Sequence, residues 1–105
     1  MGDKATVKVL LNNSAAFRGY TAGDDLTEAI VFQSSLPACG HIEMLLKIVF
    51  SQLNKDDPGT TWAQEYRRNG NRSLSVGDVV VIGETAYACE PMGWKRVTLL
   101  TLVGQ

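Results

Sequence analysis

The chain carries one histidine and two cysteines in 105 residues, and that scarcity excludes several chemistries. A Ser-His-Asp relay or a Cys-His pair would have to use His41, and no Gly-x-Ser-x-Gly elbow accompanies it. Cys39 stands two positions earlier, and residues that close at a helix start do not face one another. Cys39-x-His41-x-Glu43 holds the His-x-Glu half of the zinc nucleobase deaminase signature, but the Pro-Cys-x-x-Cys half is missing and only Cys89 remains. A catalytic zinc needs three protein ligands and an open position. Cys39, His41 and Cys89 would serve only if the fold gathered them. The expectation is therefore no catalytic residue, no metal and no cofactor.

Other absences narrow the class further. No apolar run approaches the length that spans a bilayer, and the N-terminal residues show no signal-peptide apolar region. A cytoplasmic protein with free thiols is expected, since the two cysteines follow no framework spacing. The formal net charge of −1 lacks the basic excess that recruits nucleic acid globally. Neither Gly-x-x-x-x-Gly-Lys nor Gly-x-Gly-x-x-Gly occurs, so no phosphate cradle is expected. The acidic pairs Asp24-Asp25 and Asp56-Asp57 fall in loops, where caps and turns account for them.

What is present describes a small α+β protein. Residues 5–11 alternate and are rich in β-branched side chains, which predicts a strand. Asn12-Asn13-Ser14 ends it. Residues 26–34 are open to two readings. Asp25 and Glu28 could cap a helix, yet Ile30-Val31-Phe32 favours a strand paired with the first. Ile42, Leu45, Leu46, Val49, Phe50 and Leu53 form one stripe of an amphipathic helix over 41–53, stopped at Asn54. A shorter helix is expected from Thr61, with Gln64 completing a capping box, Arg67 and Arg68 in its last turn, and Gly70 as its stop.

Three strands follow, at about 78–83, 86–90 and 94–103. The first is apolar on both faces (Val79 to Ile82), which places it centrally. Ser73-Leu74-Ser75-Val76-Gly77-Asp78 reads as a tight turn whose short polar side chains satisfy the backbone entering that strand. The architecture expected is α+β: a small, mostly antiparallel sheet in the order β-β-α-α-β-β-β, with two helices packed on one face, in a single domain over 1–105.

The most suggestive constellation is Tyr66-Arg67-Arg68-Asn69-Gly70-Asn71-Arg72-Ser73. Guanidinium groups grip phosphate and carboxylate in a bidentate way, and Tyr66, Trp62 or Trp94 could add stacking. Arg67, Arg68, Asn69, Asn71 and Arg72 with Tyr66, Trp62 and Trp94 are thus the candidate binding residues, for a protein or a nucleic acid. The competing explanation is structural: arginines suit a last helical turn, and Asn-Gly-Asn makes a turn.

From Tyr66 to Val97, the pattern Tyr-Arg-Arg-x-Gly-Asn-Arg-Ser-Leu-Ser-Val-Gly-Asp-Val-Val, then Tyr-x-Cys and Gly-Trp, resembles small uncharacterised proteins of actinobacteria, their plasmids and their phages. More remotely it is similar to the YodL-like domains of conjugative elements. The helix ending Phe50-Ser51-Gln52-Leu53-Asn54, then Asp57-Pro58, fits the same pattern, so the resemblance covers about half the chain. The chain departs from it by continuing past Gly-Trp with an apolar segment, residues 95–103, which is a candidate sheet edge or homodimer seam. The resemblance implies a phage, prophage or plasmid setting in a host bacterial cytoplasm, and carries over no catalytic residue. The missing catalytic constellations and the cluster of Arg67, Arg68 and Arg72 beside Trp62 and Trp94 then lead to the expectation of a non-enzymatic accessory protein that binds a host or element protein. The alternative it leaves open is a small nucleic-acid-binding module using Arg67, Arg68 and Arg72.

Overall fold

The computed structural model describes residues 5–14, 19–21, 23–34, 41–55 and 57–98. Its elements are β1 (Thr6–Asn12), β2 (Leu26–Gln33), α1 (Ile42–Leu53), α2 (Thr61–Arg68), β3 (Val79–Ile82), β4 (Thr85–Glu90) and β5 (Gly93–Val97). The sheet has the order β2-β1-β3-β4-β5, and every neighbouring pair is antiparallel. This is the expected α+β architecture. The ambiguous segment at 26–34 is a strand, because pairing with β1 suits the β-branched run around Val31 better than a helix does.

The two sheet faces follow from strand alternation. Val7, Val9, Leu11, Val80 and Ile82 turn to the helical side, where they form one core with Leu45, Leu46, Val49, Leu53, Ala63 and Tyr66. Val79, Ala86 and Ala88 turn to the other side and pack with Leu10, Tyr20, Leu26, Val81 and Val97. The strand β3 is therefore apolar on both faces because both are covered, and it sits in the middle of the sheet. Phe32 of β2 stacks on Trp62 of α2 with ring centroids 4.0 Å apart, tying the second helix to that side of the sheet.

Two local expectations need correction. The N-cap of α2 is Thr60, not Thr61, and no capping box forms. Gln64 instead donates its amide to the Pro58 carbonyl, while Gln52 of α1 accepts from the Thr60 amide and hydroxyl. A side chain from the neighbouring helix thus does the work a local cap was expected to do. The last strand is also shorter than 94–103. It ends at Val97, which pairs with Ala86 one residue from the start of β4, so the partner strand runs out there. Residues 99–103 lie outside the described residues.

Candidate functional site

The turn that opens β3 is a structural centre. Asp78 is fully buried, and its carboxylate accepts the Asn12 amide N–H at 2.8 Å and the Ser75 amide N–H at 2.7 Å. Arg72 closes on it in a bidentate fork, Nη1 to Oδ2 at 2.7 Å and Nη2 to Oδ1 at 2.8 Å. Those bonds raise the Arg72 pKa above its ordinary value. The same guanidinium reaches the Asn12 and Ser73 carbonyls and the Ser75 hydroxyl. Between Ser75 and Asp78 the chain makes a turn closed by Asp78 N–H to the Ser75 carbonyl at 3.0 Å. Gly77 adopts φ +97 there, a conformation that favours glycine. The turn expected at Ser73–Asp78 is present, and its polar groups satisfy the backbone as anticipated.

The arginine-rich segment separates into distinct roles. Arg72 is committed to Asp78. Arg67 donates from Nε at 2.8 Å, and from Nη2, to the Lys55 carbonyl, pinning α2 to the loop after α1. Arg68 and Asn69 are exposed, and Asn69 is the C-cap of α2. Asn71 donates its amide to the Tyr66 carbonyl at 3.1 Å. Tyr66 is fully buried and its hydroxyl donates to the Arg72 carbonyl. Burial and the nearby Asp78 carboxylate push its phenol up to about 12. Trp62 is half-buried against Phe32. Four of the eight residues singled out, Tyr66, Arg67, Asn71 and Arg72, thus hold the junction of α2 with the sheet or pin α2 itself. Trp62 packs on β2, and Arg68, Asn69 and Trp94 lie beside open surface.

Trp94 belongs to a different place, a cleft of about 860 Å³ between α1 and the β4–β5 hairpin. Its walls include Phe50, Lys47 and Leu46 from α1 and Tyr87, Trp94 and Arg96 from the strands. Phe50 meets Trp94 edge to face, centroids 6.4 Å apart. Phe50 remains 41% exposed although it lies on the apolar stripe of α1. At 100° per residue it stands at the border of that stripe, away from Leu45, Leu46, Val49 and Leu53, which are buried. The signal that could have found it is the breadth of the stripe, which exceeds what the sheet covers. Cys89 lines the cleft floor. Its thiol is pushed up to about 11 by burial and by Asp78, so it is a neutral apolar lining and no activated nucleophile.

Among the described residues no three His, Cys, Asp or Glu side chains gather to hold a metal, and Cys39 lies outside them. No helix of the described residues is long and apolar enough to cross a membrane. No protein-family model matches the chain, and neither the curated proteins nor the solved structures include a significant match to it.

Proposed function

We propose that this chain is a non-enzymatic accessory binding protein of an actinobacterial phage, prophage or plasmid, acting on a host or element protein in the bacterial cytoplasm. The observation that carries the binding reading is the cleft beside β5, where Phe50, Tyr87 and Trp94 present aromatic surface that the core does not cover. Aromatic anchors in a concave patch with a charged rim are what protein recognition uses. The Cys89 thiol in that lining is protonated at neutral pH, which favours binding over thiolate chemistry. The mobile-element setting rests on the resemblance of residues 66–97.

The test is recovery from actinobacterial lysate on the tagged full chain, with and without nuclease, beside two variants. One carries Phe50→Ala with Trp94→Ala, and the other Arg67→Ala with Arg68→Ala. The expected result is a specific protein retained through nuclease and lost with the aromatic variant. Recovery of nucleic acid, with partners vanishing on nuclease treatment and with the arginine variant, would replace this reading with the nucleic-acid module.

A further inference from the structure

The cleft opens beside a sheet edge whose hydrogen-bonding groups can be assigned. Cys89 donates its amide to the Asp78 carbonyl at 2.8 Å and accepts from the Gly77 amide at 2.9 Å, so its main chain faces the β3 side of β4. In an antiparallel ladder the direction alternates residue by residue. Ala86, Ala88 and Glu90 therefore face β5, where their partners are Val97, Lys95 and Gly93. Trp94 and Arg96 are left with main-chain N–H and C=O groups turned outward, and β5 is the last strand of the sheet among the described residues. Their side chains also line the cleft, because they pair with Cys89 and Tyr87 on the helical face. Backbone edge and side-chain pocket thus coincide on two residues.

The charge on this edge is of one sign. Gly93-Trp94-Lys95-Arg96-Val97 carries two bases and no acid, while the cleft beside it is lined by both signs, Lys47 and Arg96 with Glu43 and Glu90. A second copy pairing antiparallel about Lys95 or Arg96 would set like charges opposite each other, which disfavours self-association through β5.

Resting on the binding reading above, we infer that the occupant is an extended segment of a partner protein that adds to β5 as a sixth, antiparallel strand. An acidic residue of that segment lies against Arg96, and an apolar residue two positions later enters the cleft beside the Trp94–Phe50 pair. The order follows from direction: an antiparallel strand meets Arg96 before Trp94, and residues two apart share a face. Main-chain pairing supplies affinity, and the alternate side chains supply selectivity.

The test is selection of a random short-peptide library on the full chain, followed by amide exchange with one synthetic peptide of the enriched pattern. The expected result is enrichment of an acid, any residue, then an apolar residue, with slowed exchange at the Trp94 and Arg96 amides. Arg96→Glu should weaken that peptide by about tenfold or more and shift selection to Lys or Arg at the same position. Lys95→Glu, on the opposite face, should leave that position's preference in place. Peptides that occupy the cleft without an acidic preference, or without protecting those two amides, overturn strand addition and leave the cleft standing. Peptides that bind elsewhere, or no enrichment at all, overturn both. Protection of the same amides in the free protein, rising with protein concentration, would make the occupant a second copy and also overturn the inference.

Discussion

Arg72 and Asp78 meet in a two-pronged ion pair, 2.7 and 2.8 Å between heavy atoms, with the carboxylate fully buried and the guanidinium partly exposed. The carboxylate also receives two main-chain amides, so all of its acceptor directions are used. Because Asn12 is far away in the chain, this pair joins β1, the loop behind α2 and the entry to β3 at one point.

Removing either partner should therefore destabilise the fold strongly. Arg72→Ala leaves a buried carboxylate uncompensated, and a loss of about 3–5 kcal/mol is expected. Asp78→Ala strands the Asn12 and Ser75 amides and should fall in the same range. Arg72→Lys keeps the charge but loses the fork, with an expected intermediate loss. Arg68→Ala, on an exposed helix end, should change stability by less than about 0.5 kcal/mol. Urea unfolding of the four variants decides this. Equal stability for Arg72→Ala and Arg68→Ala would contradict the structural role of the pair.

Alkali should weaken the fold well before the arginine pair dissociates. The Cys89 thiol rises from an ordinary value of 9.0 to about 11, and the Tyr66 phenol from 10.0 to about 12. Below about pH 9 both groups are protonated in folded and unfolded chains alike, so their stabilising contribution is fully present. From about 9 to 11 for Cys89, and about 10 to 12 for Tyr66, the unfolded chain has released a proton that the folded chain keeps. Stability then falls with rising pH, by roughly 2–3 kcal/mol for each group across its own window. Urea midpoints at about pH 8 and about pH 10.5 should differ accordingly. A Tyr66→Phe, Cys89→Ala variant should show a flatter dependence, at a fixed loss from the missing Tyr66 hydroxyl bond to the Arg72 carbonyl.

Neighbouring positions on one helical stripe should separate into core and site. Leu53 is fully buried, and Leu53→Ala should lose about 2–5 kcal/mol. Phe50, 41% exposed on the cleft, should lose about 1 kcal/mol on truncation. Thermal unfolding of the two variants distinguishes them, with several degrees expected for each kcal/mol in a domain of this size. A loss at Phe50 as large as that at Leu53 would place it in the core.

The turn before β3 offers a backbone test. Gly77 has φ +97, where any Cβ is strained. Gly77→Ala should lose about 1–3 kcal/mol. Replacement by D-alanine through chemical synthesis should recover most of that loss, because its mirror-image preference suits the same φ. No recovery would mean that side-chain space, and not backbone strain, governs this position.

Periodicity alone determined most of the element plan. The stripe from Ile42 to Leu53 specified α1, and the two-faced apolar run from Val79 to Ile82 specified a covered, central strand, since both patterns report burial through local spacing. Three things were settled only by tertiary structure. Gln52 displaced the local cap at Thr61, and the extent of β4 set the end of β5. The arginine-rich segment, which resembled a recognition site, became largely scaffold once Asp78 faced Arg72. The bond from the Asn12 amide to Asp78 spans 66 positions, and no local spacing announces a contact of that range. The cleft is of the same kind. Phe50 from α1 and Trp94 from β5 carry no shared motif, and only the packing of that helix against that hairpin brings their rings together.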